Sequence, residues 1–296
     1  MIIAVASGKG GTGKTTVAVN MAICLNEPVQ LLDCDVEEPN CRIFLKPDIR
    51  RRERIVLPHP VVIEDLCTSC GECSRACQFN AIVSLKTRPM VFPSLCHGCG
   101  GCIKVCPQNA LAEGVREIGT IETGIARQVE FVQGCLDVGQ TLSPPLIREV
   151  KRRAARKGIT IVDCPPGTSC PVMAAVKGSD YAVLVAESTP FGLHDLKLAV
   201  ETVRRLGLRF GVVINRMVST DRCVVKYCRS EHIPILLEIP EHRAAAVAYS
   251  RGQLLVEAVP EFRGLFERLC CRIISEARGK EEGPAVTTRG KIVGTA

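Results

Sequence analysis

The sequence predicts an α/β fold, a doubly wound and mostly parallel sheet with a small α+β segment inserted in it. Three observations predict this. The chain opens on an apolar strand run that passes through a glycine-rich loop into a helical pattern. Short apolar runs then alternate with helical segments as far as about residue 277. Between the second and the later runs, one cysteine pattern is written twice.

Residues 1–7 are the first strand, and residues 17–25 read as the helix after the loop. Between them stand Gly8, Lys9, Gly10, Gly11, Thr12, Gly13, Lys14, Thr15 and Thr16. Gly8, Gly13, Lys14 and Thr15 fill the pattern G-x-x-x-x-G-K-[ST]. Glycines let backbone N–H groups turn inward around an anion, and the helix N-terminus adds its positive end. Lys14 supplies charge for the outer phosphates of ATP or ADP, and the Thr15 hydroxyl is a ligand for Mg²⁺.

Lys9 to Thr15 also read K-G-G-x-G-K-T. In this the chain resembles the MinD/Mrp-like P-loop ATPases with a deviant Walker A loop, which include the nitrogenase iron protein and the arsenic-pump ATPase. The resemblance implies a P-loop NTPase fold and a homodimer clamped by ATP, with Lys9 reaching the partner's nucleotide and acting with Lys14 in catalysis. Taken by itself, Lys9 reads equally as a solvated loop lysine.

A chain of 296 residues holds one large domain and a small one. With 46% hydrophobic and 23% charged residues, its composition is that of a globular protein. The net charge of +7 is modest, and the basic clusters at residues 50–52 and 151–157 lack interleaved aromatics. This speaks against a nucleic-acid partner. The first strand begins at the N-terminus, which leaves no room for a signal peptide, and no apolar run reaches the ~20 residues of a membrane span. The 18 cysteines then point to metal ligation in a reducing, cytoplasmic compartment, not to disulfides.

Residues 29–35 form a second strand ending in Asp33 and Asp35. Strand C-termini line the ligand crevice of an α/β sheet. The family places a D-x-D here as switch I, which implies that Asp35 orients the attacking water or holds the Mg²⁺ shell. Residues 37–40 continue as in the Mrp-like branch. Residues 41–60 read as an irregular connector containing short strands at 55–57 and 61–63.

Cys67, Cys70, Cys73 and Cys77 recur after 29 residues as Cys96, Cys99, Cys102 and Cys106. The spacing resembles that of bacterial two-cluster ferredoxins, in which three close thiolates wrap a [4Fe–4S] cube and the fourth comes from the other half. Cys67, Cys70, Cys73 and Cys106 are then one ligand set, and Cys96, Cys99, Cys102 and Cys77 the other. Zinc also binds C-x-x-C pairs but needs neither the third and fourth cysteines nor their second copy. The first half departs from the family in having Gln78 where Pro107 stands in the second. The expected division is an ATPase domain in two parts, 1–60 and 113–278, around a ferredoxin domain at 61–112. A disordered tail follows at 279–296, without the membrane-targeting helix of the MinD proteins.

Residues 116–124 and 128–134 alternate as strands of a sheet edge or hairpin, and 144–157 read as a helix with a basic face. Residues 159–163 are a buried strand ending in Asp163, ahead of Cys164, Pro165, Pro166 and Gly167. This resembles the family's Walker B strand and switch II, with Asp163 in the Mg²⁺ shell and Gly167 as the pivot sensing the γ-phosphate. Strands follow at 181–185, 210–215 and 235–239, and helices at 193–206, 221–231 and 261–277. Asn215 and Pro240 fall where the family contacts adenine.

Ten cysteines lie outside the repeat. Cys24 belongs to the core. Cys135 and Cys170 occupy places loosely comparable to the dimer-bridging cluster of the nitrogenase iron protein, or simply pack. Cys34, Cys41, Cys223, Cys228, Cys270 and Cys271 complete no ligand set. Three functions fit: an ATPase coupled to electron transfer, an iron–sulfur or metallocofactor carrier, and a MinD-like redox-sensing switch.

Overall fold

The computed structural model describes residues 1–85, 88–217 and 222–278. The chain runs β1 (Ile2–Ala6), α1 (Lys14–Cys24), β2 (Val29–Asp33), α2 (Cys41–Leu45), β3 (Asp48–Val62), α3 (Glu72–Ala76), β4 (Ile82–Ser84), β5 (Pro89–Val91), α4 (Gly101–Lys104), β6 (Leu111–Ala126) and β7 (Val129–Leu136). It continues through α5 (Pro144–Lys151), β8 (Ile159–Asp163), α6 (Cys170–Val176), β9 (Tyr181–Glu187), α7 (Pro190–Arg205), β10 (Phe210–Met217), α8 (Cys223–Ser230), β11 (Ile235–Pro240), α9 (Arg243–Ser250), α10 (Leu255–Ala258) and α11 (Pro260–Arg278).

Nine strands form one sheet in the order β11-β10-β9-β1-β8-β2-β7-β6-β3. The first seven are mutually parallel, and β6 and β3 add an antiparallel margin. Alternate residues serve two cores. Leu31, Phe131 and Ile161 face Val17 of α1 and Phe266 of α11, whereas Leu32, Val132 and Val162 face Leu146 of α5, Val172 of α6 and Leu196 of α7. Burial on both faces is why these strands read as continuous apolar runs. From β1 the chain crosses to β2 on one side, and from β8 to β9 on the other. The glycine-rich loop leaves the sheet at this reversal, where such sheets bind ligands.

The largest difference from the sequence reading lies in residues 41–60, of whose regular structure only the strand at 55–57 is expected. They hold the short helix α2 and the 15-residue strand β3, paired along its length with β6. The charged run that reads as a loop is an edge strand. Arg52 bonds Glu122 across the pair at 2.9 Å, and Arg54 bonds Glu117 and Asp137, each at 2.6 Å. Charged side chains on an edge strand also discourage pairing with other chains. The inner half of this ribbon lies in the sheet, with β6 paired to β7 from Gly119 to Ala126. The outer half runs past β7 and carries residues 63–110 at its end, closed by the Ile63 N–H donating to the Ala110 carbonyl at 2.9 Å.

Two helices differ in extent. α5 stops at Lys151, not 157, because the Ala155 N–H turns to the Gln30 side-chain oxygen at 2.7 Å and draws the chain under the sheet. α7 starts at Pro190, where Thr189 accepts the Gly192 N–H at 3.0 Å as an N-cap. α6, α9 and α10 are short and carry no long amphipathic period, and the sequence reading omits them. The expected tail at 279–296 lies outside the described residues, as does position 221 of the expected helix 221–231. No helix among the described residues is long and apolar enough to cross a membrane.

Candidate functional site

The glycine-rich loop is built for close approach. Gly13 has φ +96°, and a Cβ there would lie 2.3 Å from Asn215 Nδ2, which itself donates to the Thr12 carbonyl at 2.8 Å. A Cβ on Gly8 would lie 2.1 Å from the Asp195 carbonyl oxygen of α7. Gly11 also has positive φ, Gly10 comes near Pro166 of the 164–167 turn, and Thr16 accepts the Asn20 amide. Asn215 thus props the loop from β10, and Pro240 ends the neighbouring strand β11.

Three acids converge below the loop. Thr15 Oγ1 donates to Asp163 Oδ2 at 2.7 Å, and Lys14 is only 6% exposed. Asp33 and Asp163 are wholly buried and paired in register across β2 and β8. Burial, and then the Asp163 charge, hold the Asp33 carboxyl well above the usual range, and burial also raises Asp163. Asp35 is pushed up to about 6, by burial first and the Asp163 charge second, against the pull of Lys14. Asp163 Oδ1 has no hydrogen-bond partner. Hard oxygen donors short of positive charge, beside a threonine hydroxyl, fit Mg²⁺ held by Thr15 and Asp163.

The Asp35 shift gives a test of sign. Charging Asp35 opposes folding, so its penalty is absent below about pH 4 and complete above about pH 6. Asp35→Asn is therefore expected to stabilise the nucleotide-free protein at pH 7.5 by about 2 kcal/mol. The gain should shrink toward pH 5, as read from urea midpoints; an equal gain at both values would refute it.

Other predicted residues have partners outside the acid group. Lys9 Nζ pairs with Glu187 Oε2 of its own chain at 3.7 Å, and Arg216 bonds the same carboxylate at 2.7 Å. The Gly167 N–H donates to the Ser7 carbonyl at 3.0 Å, a partner it must exchange to meet a phosphate. Cys135 on β7 and Cys170 at the start of α6 are both exposed.

Sequence reasoning missed three polar groups. Glu187 ends β9 as Asp33 ends β2 and Asp163 ends β8, and the same strand-end rule finds it. Gln133 and Glu122 extend the acid row. Gln133 is in register with Asp33, and its Nε2 donates at 2.6 Å to Glu122, its register partner on β6. Glu122 also receives Arg52, so a polar row crosses the sheet from Asp163 to the ribbon.

Beyond the ribbon the two halves of the cysteine repeat fold alike, 29 residues apart. The Glu64–Leu66 and Pro93–Leu95 turns, Ser69 and Gly98, Gly71 and Gly100, and Asn80 and Asn109 correspond, and these last three pairs all have positive φ. Two hollows result. Cys67, Cys70, Cys73 and Cys106 line one; Cys77, Cys96, Cys99 and Cys102 line the other. The Ala81 and Ala110 N–H groups donate to Cys77 and Cys106 Sγ at 3.4 and 3.2 Å, and the Gly98 N–H to Cys96 Sγ at 3.4 Å. Four sulfurs around each hollow, with N–H donors aimed at sulfur, fit a thiolate-bound [4Fe–4S] group. The second hollow is nearer the sheet, since Pro58, His59 and Pro60 line it, whereas the first meets the ribbon only at Leu111.

Comparisons with known proteins place this geometry in a family. The model of the CobQ/CobB/MinD/ParA nucleotide binding domain matches residues 3–256. An uncharacterized protein of Methanocaldococcus jannaschii is 34% identical over 220 residues, covering 73% of this chain and 78% of that one. A shorter stretch of 47 residues is 53% identical to an iron-sulfur cluster carrier protein of Synechocystis, covering 15% of this chain and 13% of that one. The fold is similar to that of the septum site-determining protein MinD of Pyrococcus horikoshii, solved with Mg-ADP, with a TM-score of 0.60 at 21% identity over 95% of this chain and 99% of that one. With the phosphate loop at the sheet's reversal and the family model matched over most of its length, the chain belongs to the CobQ/CobB/MinD/ParA nucleotide-binding family.

Proposed function

We propose that this protein is an ATPase whose nucleotide-driven dimer switching controls electron transfer through two [4Fe–4S] clusters. The observation that carries the reading is the ribbon of β3 and β6. Its inner half is hydrogen-bonded into the sheet beside switch I, and its outer half carries both sets of four cysteines. The side chains of the row Asp163, Asp33, Gln133, Glu122 stand in register from the nucleotide end to the ribbon, where Gln133 bonds Glu122. A shift of switch I on phosphate binding or loss would alter this row.

In this reading Gly8 to Thr16 cradle the phosphates, with Lys14 neutralising the outer ones. Thr15 and Asp163 hold Mg²⁺, and Asp33 supports Asp35, whose N–H Asp33 accepts at 3.2 Å. Asp35 orients the attacking water, and its raised pKa suits a group that takes a proton near neutrality. Lys9 leaves Glu187 to reach the partner subunit's nucleotide, which costs little because the pair is partly exposed. Cys67, Cys70, Cys73 and Cys106 hold the outer cluster, and Cys96, Cys99, Cys102 and Cys77 the one nearer the sheet. Each such group supplies a one-electron couple. Asn215 and Pro240 flank the base side, and the protein is a homodimer when ATP is bound.

The test is electron delivery from the reduced, cluster-loaded protein to an acceptor dye under anaerobic conditions. The rate is expected to rise when ATP and Mg²⁺ are added. A rate indifferent to nucleotide would break the coupling. The short likeness to an iron-sulfur cluster carrier protein favours a second reading, in which the clusters are cargo. Buried Cys73 and Cys96, one in each four-cysteine hollow, weigh against easy release. ATP-dependent loss of iron to an apo-acceptor would favour the carrier. Iron near eight per chain matches two clusters, and near ten would bring Cys135 and Cys170 into play as a dimer bridge.

A further inference from the structure

The geometry points to a second cation site at the switch, formed by Asp33, Cys41 and Asp163, that takes a borderline divalent ion such as Zn²⁺ or Fe²⁺ and competes with Mg-nucleotide. Cys41 is the first residue of α2, eight positions beyond Asp33. Its N–H donates to Asp33 Oδ2 at 3.0 Å, and its thiol donates to Asp163 Oδ2 at 3.3 Å. All three residues are wholly buried, and one ligand atom from each lies within 4.8 Å of the others.

Two features separate this from an ordinary cluster of acids. Asp163 Oδ1 is buried and has no hydrogen-bond partner, so the carboxylate that meets Cys41 through Oδ2 keeps an oxygen unsatisfied. And one of the three donors is sulfur. Mg²⁺ takes oxygen and keeps its waters, whereas Zn²⁺ and Fe²⁺ accept mixed thiolate and carboxylate donors. Adding Cys41 to the acids therefore changes which metal the pocket prefers. On binding, the Cys41 thiol and any protonated carboxyl of Asp33 or Asp163 release their protons to solvent, and the sulfur and carboxylate oxygens take the metal; no electron moves.

The competition follows from a shared atom. Asp163 Oδ2 accepts from both Cys41 Sγ and Thr15 Oγ1, the hydroxyl expected to meet Mg²⁺. An ion drawn toward Cys41 and Asp33 pulls Asp163 off Thr15, and the Mg²⁺ site loses its buried carboxylate. A cation of the kind that iron–sulfur chemistry releases would thus hold the switch in its nucleotide-free form. The competition rests on Asp163 serving Mg²⁺, as proposed above; the site itself does not.

The test uses the full cluster-loaded chain, with one equivalent of Zn²⁺ and the metal viewed by zinc X-ray absorption, which does not see iron. One sulfur at about 2.3 Å with oxygens at about 2.0 Å is expected. Cys41→Ser should remove the sulfur shell, and Cys41→Ala checks the result with a side chain that cannot ligate. In parallel, Mg-ADP affinity is measured with and without Zn²⁺ within each variant. Zn²⁺ should weaken it about tenfold in the native chain and leave it unmoved in the Cys41 variants. Several sulfurs per zinc, or a shell unchanged by Cys41→Ser, would overturn the site. A Cys41-dependent shell without any effect on Mg-ADP would overturn the competition alone. Failure to bind Mg-ADP even without Zn²⁺ would count against the nucleotide reading and leave the zinc shell as a separate result.

Discussion

Lys14→Ala is expected to lower ATP hydrolysis by about 10²–10³-fold, the scale of removing one preorganised group that meets developing charge. Two effects combine. The outer phosphates lose their cation, and the buried acids lose the positive charge that offsets them, since Lys14 lowers the pKa of both Asp35 and Asp163. The cysteine hollows lie beyond the ribbon and share no contact with Lys14, so iron content should stay near eight per chain. Electron delivery should then become indifferent to ATP. Hydrolysis and electron delivery are measured on the same anaerobic preparation. If hydrolysis disappears while ATP still accelerates electron delivery, the coupling does not run through this site.

The second large effect concerns which cysteines belong together. Cys106→Ser and Cys73→Ser are expected to abolish the same low-temperature EPR signal, and Cys77→Ser and Cys102→Ser the other. Each loss should cost up to half of the iron. The grouping follows from the hollows: Cys106 lines the one with Cys67, Cys70 and Cys73, although it stands 33 or more positions from each of them. Were each half of the repeat to hold its own cluster, Cys106→Ser would instead match Cys102→Ser. The two arrangements give opposite pairings of spectra, so the four variants decide between them.

Much of the fold was legible because its signals are short-ranged. A strand, a glycine loop and a helix in that order need no distant partner to be recognised, and neither does a 29-residue echo of a cysteine pattern. β2 and β8 announce themselves as apolar runs ending in acids, and their ends are where the acids of the site stand. The ribbon was legible only in pieces: residues 55–57 and 116–124 read as strands, the latter at a sheet edge, but not as parts of one long pairing. β3 is rich in arginine, and nothing within it reveals that Glu117, Glu122 and Asp137, over 60 residues away, neutralise it. Buried Ile55 and Leu57 flank exposed Val56 and mark a short strand, but the charged run before them has little hydrophobic alternation to betray its pairing with β6. Lys9 shows the same limit. Its loop position follows from the motif, but its bond to Glu187 depends on the order of β1 and β9 in the sheet.

The phosphate loop, the strand-end aspartates, the alternating α/β architecture and the cysteine spacing within each half of the repeat are readable along the chain. All of these are encoded by residues within a few positions of one another, where backbone geometry translates spacing directly into shape. The folded chain adds that the cysteines stand at the end of a ribbon, which hollow is nearer the sheet, and that Gln133 and Glu122 continue the acid row. It alone brought the Cys41 sulfur to the Asp163 carboxylate across 122 residues. Such meetings depend on strand order and register, which are set by the packing of the whole sheet and leave no mark on the local sequence.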